Sequence, residues 1–335
     1  MGVICGVMLF GAALASAAPA KPTELSLGLI VPPKHLRYLH VIEPWMKMIE
    51  ERTKGSVKIN PYFNMTLAPA AELFDATVKG LADLSESYTF GNPGKFSMTE
   101  TLMLPETGFK SSISCSRAVW HLYKTFPEVK AEYTGVKLLW LHTTPAAKLM
   151  LKKKAVRNLE DLKGLKIAVS GPGVKVAKAL GFSPVTMPTA DIYVAQDKGV
   201  IDGHIRPTEL LVSRRHAEVT KYAVDVDMGH DIFYIAMNMN TWKKLPPDVQ
   251  KVFDQLSGDW AVDFTGKEWD KFDKDAETEV KAKGIEYITL APEEAAKWRK
   301  LLTPIHEEYA ADLESKKLPG KKIFEELKKI SAKVQ

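Results

Sequence analysis

Cysteine is nearly absent from this chain. Among 335 residues only Cys5 and Cys115 occur. If Cys5 is lost with a leader segment, Cys115 has no partner, and no intramolecular disulfide holds the fold. A chain of this length buries enough apolar surface to do without one. Cys115 matches no catalytic signature and is read as a small buried hydrophobe. Charge of one sign is also scarce: 46 Lys and Arg face 41 Asp and Glu, a net +5, with the bases spread along the chain. A nucleic-acid partner calls for a concentrated basic stripe with aromatic residues, and none is visible. The local run Lys152-Lys153-Lys154, with Lys148 nearby, reads as a solvated face. Internal repeats and low-complexity segments are missing as well.

Most reactive motifs are missing too. "LKIAVSGPGVKVAKALG", residues 165–181, has the look of a strand, glycine turn and helix start that cradle an anion. It is no phosphate loop, which needs a G-x-x-x-x-G-K-[ST] run. It also lacks the third small residue of a dinucleotide fingerprint, and Pro172 removes an amide that would face a pyrophosphate. His35 and His40 are badly spaced for one helical face, and "HEEY" at 306 lacks the second histidine of a zinc protease motif, so no metal is expected. No nucleophile elbow of the G-x-S-x-G type appears. The residues give no positive sign of an enzyme.

The chain does contain an uncharged start and a regular alternation of strands and helices. Residues 1–20, "MGVICGVMLFGAALASAAPA", end in small residues and read as a secretory signal peptide, too short to span a bilayer comfortably. "ELSLGLIV" (24–31) alternates as a strand and stops at Pro32-Pro33. Apolar residues from Leu36 to Ile49 recur at helical spacing, and Gly55 follows. "SVKINPYF" predicts a strand, "AAELFDATVKGLADL" a helix, and "SESYTF" a strand running into a loop. The pattern returns in the middle of the chain. Asn158 caps a short helix, "LKIAV" is a strand, "GVKVAKALG" a helix, "SPVTMP" a strand, "TADIYVAQDKGV" a helix and "IDGHIRP" a strand entering a loop. Two successive β/α lobes imply an α/β protein with a cleft between them. The last third is helical: one helix opens at Pro246-Pro247, a stretch from Trp260 to Lys283 has few breakers, and another helix runs from Pro292 through Leu313.

Four blocks carry a family resemblance in consistent order: "PWMKMIEERTKGSVKINPYF" (44–63), "NLEDLKGLKI" (158–167), "ALGFSPVTMPTADIYVAQDKGVIDG" (179–203) and "NTWKKLPPDVQKV" (240–252). From about residue 24 to the C-terminal helices the chain resembles periplasmic solute-binding proteins of the tripartite ATP-independent (TRAP) transporters, of the C4-dicarboxylate-binding type. The resemblance implies a two-lobe periplasmic-binding-protein fold, with lobe I at 22–144 plus 234–273 and lobe II at 145–233 plus 274–333. A long C-terminal helix would span both lobes. It further implies a periplasmic monomer, without cofactor or metal, that closes on a small organic acid and docks on a TRAP permease in the membrane. Two rivals differ in class: a protein that senses ligand for a receptor, and an exported enzyme on the same scaffold.

The same resemblance points to site residues. Typical members read K-I-R-V in the middle strand, and that arginine clamps a ligand carboxylate. Here the strand reads Lys166-Ile167-Ala168-Val169, and a second family arginine upstream is replaced within Ala146-Ala147-Lys148. Arg206 in "DGHIRP" takes a pocket position at a strand end and is expected to supply the charge, assisted by His204; the bland alternative is a surface pair with Glu209. Glu86 and Tyr88 in "SESYTFG" match a ligand-lining loop, with Glu86 accepting from the ligand or acting as counter-charge to Arg206. Phe233 lies near another pocket position, where Ile232 replaces a polar residue. Tyr38 and Trp140 are further candidates, and Asn238 is read as structural. With Ala168 and Ile232 in place of polar groups, the expected ligand is a bulky or aromatic monocarboxylate, because an unpaired dianion is costly to bury.

Overall fold

The computed structural model describes residues 21–334. The expected signal peptide and Cys5 lie outside the described residues. Among the described residues, eleven strands form two sheets. The first contains β1 (Thr23–Leu29), β2 (Val57–Tyr62), β3 (Leu84–Tyr88), β4 (Val136–Thr143) and β10 (Ile232–Asn238). Their order is β2-β1-β3-β10-β4; the first three run parallel, and β10 is antiparallel to both its neighbours. The second sheet contains β5 (Lys148–Leu151), β6 (Lys166–Val169), β7 (Ser183–Thr186), β8 (Gly203–Arg206), β9 (Tyr222–Val224) and β11 (Glu286–Ile288), in the order β11-β9-β5-β8-β6-β7. The expected α/β architecture with two lobes is observed.

Helix starts and stops follow local chemistry. Asn158 accepts a hydrogen bond from the Asp161 amide at 3.1 Å and caps the short turn Leu159–Leu162. Gly80 and Gly181, both with positive φ, end the helices Leu73–Val78 and Gly173–Leu180. The first of these is shorter than its sequence predicts, since Leu84 has already joined β3. The expected helix beyond Pro292 is two helices, Pro292–Leu302 and Pro304–Ser315. Pro304 has no amide to donate back, so it starts a new helix and does not continue the old one.

Four connections tie the lobes together, the last being the short link at Thr303 between the helices Pro292–Leu302 and Pro304–Ser315. The chain crosses at 144–147 and returns at 225–231, and the two segments pair through Thr144 N to Asp231 O (3.0 Å) and Ala147 N to Gly229 O (2.8 Å). The 25-residue helix Gly258–Ala282 is the third. It packs on the helix Ser112–Thr125 and β4 of one lobe and on the short helix Glu209–Ser213 of the other. Gly266 permits the close approach: a Cβ there would lie 2.6 Å from Ile113 Cα.

Two stretches lie elsewhere than the expected lobe boundaries. Ile232 and Phe233 belong to β10 in the first sheet, because the return crossing ends at Asp231. The helices Pro304–Ser315 and Gly320–Val334 fold back on first-lobe elements. There Tyr309 Oη donates to Ser97 O (2.9 Å), and His121 Nε2 and Glu326 Oε1 are 2.9 Å apart.

Candidate ligand-binding site

The site lies beyond the C-terminal ends of parallel strands, where open α/β sheets leave a crevice. β1 runs out into Ile30, Val31, His35 and Arg37, β3 into Tyr88 and Phe90, and β8 into Arg206. Together with Phe233 at the start of β10 and Trp269 on the long helix, these residues line a cavity of about 170 Å³ between the lobes.

Its walls are mostly aromatic. Tyr88 and Phe90 stack with ring centres 4.1 Å apart. Phe233 stacks on His142 at 5.2 Å and on Trp269 at 6.1 Å. Trp269 Nε1 donates to His142 Nδ1 at 3.0 Å, which requires that nitrogen to be unprotonated. Burial, reinforced by the Arg37 charge, keeps the His142 pKa well below its ordinary value, in agreement with that role. The Arg37 guanidinium lies 4.1 Å above the Phe233 ring centre.

The charges divide into matched and unmatched groups. Arg37 Nε meets Glu86 Oε1 at 3.0 Å, with both side chains buried. Burial raises the Glu86 pKa, and the Arg37 charge and hydrogen bond limit the rise. Arg206, 2% exposed, donates from Nη1 to Ser170 Oγ (3.1 Å) and Ile205 O (2.7 Å), while its buried Nε has no partner. Arg214 lines the same cavity; burial lowers its pKa, and the neighbouring Arg37 lowers it further. Asp231 faces Arg206 and Ser170, and burial raises its pKa against the pull of Arg206. Glu209 is fully buried, and its carboxyl is pushed up to about 7 by loss of water.

Of the residues expected from the sequence, Arg206, Tyr88 and Phe233 meet in this cavity. The others are placed elsewhere. Glu86 lies behind the wall and is the counter-charge of Arg37, not of Arg206. Ala168 pairs in register with His204, a row below the strand end, and packs under Ile192 and Ile201, so its methyl does not reach the cavity. His204 is buried against Gln196 Oε1 (2.6 Å) and His216; burial, then the charges of His216 and Arg206, keep its pKa well below normal. Tyr38 packs edge-on against Phe63, and Trp140 against Trp45, both as core. Asn238 caps the helix Met239–Lys244 and donates to Thr77 O, a structural role. The bland alternative for Arg206, a surface pair with Glu209, is not formed: Arg206 is buried and bonded elsewhere.

Arg37, Arg214, Glu209, Asp231 and Trp269 were missed. Arg37 follows the Pro32-Pro33 strand stop, so the strand-end argument used for Arg206 applies equally to it. Asp231 immediately precedes β10 and had the same signal. Glu209 and Trp269 sit on helices and Arg214 just past the end of one, and none carries a local mark of a site.

A two-lobed α/β protein with a small charged cavity at its strand ends, between crossing segments, is a periplasmic-type binding protein. Residues 27–312 match the model of the family described as bacterial extracellular solute-binding protein, family 7. The chain belongs to that family and is a solute-binding protein of the TRAP transporters. It is 26% identical over 305 residues to the C4-dicarboxylate-binding periplasmic protein DctP of Rhodobacter capsulatus, covering 86% of this chain and 91% of the relative. A TRAP solute-binding protein from Bordetella bronchiseptica, solved with bound (R)- and (S)-mandelate, superimposes with a TM-score of 0.86 at 26% identity, covering 94% of this chain and all of the other. One from Desulfovibrio salexigens, 31% identical, superimposes with a TM-score of 0.82 over 94% of this chain and 97% of its own. The family binds substrates and does not transform them; its members are periplasmic and work with TRAP membrane permeases.

Proposed function

We propose that this protein captures an aromatic or similarly bulky monocarboxylate and delivers it to a TRAP permease. The observation that carries the reading is the charge balance of an aromatic-walled cavity. Three arginines reach it, and three acids lie in or behind its wall: Glu86 bound to Arg37, Asp231 beside Arg206, and Glu209 with its pKa near 7. With Glu86 and Asp231 ionised beside their arginines and Glu209 titrating near neutral pH, the cavity offers about one uncompensated positive charge. That suits a single carboxylate and leaves a second one unpaired, at a cost of several kcal/mol. Arg206, at the end of β8 with its Nε unpartnered, is the proposed clamp. The volume agrees, since an apolar cavity of roughly 150 Å³ accommodates a benzene ring. The mandelate complex of the Bordetella relative supports the same ligand class.

The mechanism is lobe closure, with ligand contacts that form only when both lobes are present around it. We assign the moving bodies as 22–144 with 232–273 and Pro304–Val334, against 145–231 with 274–302. The mature protein acts as a monomer after export and removal of residues 1–20, and performs no chemistry. Mass spectrometry of ligand carried through native purification, followed by thermal-shift screening of organic acids, tests the assignment. An aromatic acid at a hundred times its Kd should add about 2.7 kcal/mol of stability. Stabilisation by C4-dicarboxylates alone overturns it.

A further inference from the structure

Glu209 lacks a hydrogen-bonding partner for its carboxyl. It lies fully buried in the cavity wall, at the start of the short helix Glu209–Ser213, and neither carboxyl oxygen has a hydrogen-bond partner. Ser213 Oγ, one turn further on, and the Arg37 and Arg214 charges lie near enough to limit the rise of the Glu209 pKa, yet neither carboxyl oxygen nor the Ser213 hydroxyl makes a hydrogen bond of acceptable geometry. His35 Nε2 is 3.7 Å from Glu209 Oε1, too far for a hydrogen bond. The imidazole is oriented by its other nitrogen: Nδ1 accepts from the Arg37 amide at 3.2 Å, so the ring proton sits on Nε2, facing Glu209 across that gap. Leaving a buried carboxyl unpaired is expensive, and such groups are satisfied by a partner that arrives later.

We infer that Glu209, with His35 beside it, is a specificity element that reads a hydroxyl group on the ligand. This deepens the reading of the cavity as a monocarboxylate site and rests on it. A hydroxyl is the group that suits this carboxyl in either form, because it donates to a carboxylate and accepts from a carboxylic acid. A second carboxylate would meet repulsion from an ionised Glu209. A plain hydrocarbon edge would leave both oxygens unpaired, as they are now. Asp231, the other acid in the cavity wall, is already engaged, with the Ser170 hydroxyl at 3.5 Å and Arg206 beside it. The ligand this geometry describes is a hydroxylated aromatic or α-hydroxy aryl acid, with its carboxylate on the arginines and its hydroxyl on Glu209.

Calorimetric titration with benzoate, 2-, 3- and 4-hydroxybenzoate and mandelate tests this. At least one hydroxy acid should bind the wild type roughly ten-fold to a hundred-fold more tightly than benzoate. Glu209→Leu should collapse that ratio to near unity, whereas Glu209→Gln, which keeps a donor and an acceptor, should retain most of it. If the wild type prefers none of the hydroxy acids to benzoate, or if Glu209→Leu keeps the preference, the inference is overturned while the acid site stands. If no acid binds, with or without a hydroxyl, the carboxylate reading fails and this one with it. Should Glu209→Leu not fold, the wild-type ratio together with Glu209→Gln decides.

Discussion

Arg206 carries a desolvation cost that Asp231 offsets in part and a ligand carboxylate relieves further. Its guanidinium is taken out of water with one nitrogen unpaired, and breaking such an arrangement is what a binding site does to the stability of its own empty form. Arg206→Met should leave the apo protein at least as stable as the wild type. It should also weaken binding of the acid ligand by roughly 100-fold, about 2.7 kcal/mol. Denaturant melts with and without ligand separate the two effects; a large loss of apo stability together with intact affinity would make Arg206 structural. Glu100 shows the same logic away from the site. Burial, then the charge of Glu132, raises it from 4.5 to about 8. A carboxyl whose pKa is higher folded than unfolded contributes stability that is complete below about 4.5 and lost as pH climbs through 8. Between pH 6 and pH 9 the wild type should lose roughly 2 kcal/mol more than Glu100→Gln, measured by urea unfolding at each pH. Equal losses would show that Glu100 is not the group responsible.

Elements position these residues by where they stop. β1, β3 and β8 end on one side, and each end presents a charged or aromatic group to the cavity. The long helix Gly258–Ala282 supplies Trp269 while packing on both lobes. Its fit to the helix Ser112–Thr125 depends on a missing side chain at Gly266. Gly266→Ala gains up to about 1 kcal/mol of helix propensity but places a methyl against the Ile113 backbone, which costs roughly 1–3 kcal/mol. Net destabilisation in thermal melts is expected, and a rise in Tm contradicts the packing account. Most of these elements were legible from periodicity, glycine and proline, since strands of period two and helices capped by Asn158 or ended by Gly181 are local events. The split at Pro304 was written in the sequence and is a matter of the missing amide. The return of the last two helices to the first lobe was not legible, because the contacts of Tyr309 and His121 join residues some two hundred positions apart.

The site divides along the same line. Arg206, Tyr88 and Phe233 were found through positions that the family resemblance marks, and they stand at the ends of β8, β3 and β10. Ala168 was placed one row wrong, since a strand read as letters does not tell how far each residue lies from its end. Glu86, read as an acceptor for the ligand or a counter-charge to Arg206, is instead the counter-charge of Arg37, which lies 49 residues away along the chain.

At the scale of the whole molecule, the cavity exists only because two lobes face each other. Phe233 and Trp269 come from one side, Arg206 and Arg214 from the other, and Gly171 of the second lobe lies close to Met103 and Phe90 of the first. Closure on ligand should appear in small-angle scattering as a fall in radius of gyration on saturation with an aromatic acid; an unchanged value excludes a ligand-driven hinge. The central claim is narrower, that the cavity holds one carboxylate on an aromatic body. Isothermal titration of the purified protein with benzoate and with succinate, under identical buffer conditions, tests it most directly. The account predicts saturable one-to-one binding of benzoate and at least ten-fold weaker binding of succinate. Tight succinate binding with none for benzoate would contradict it.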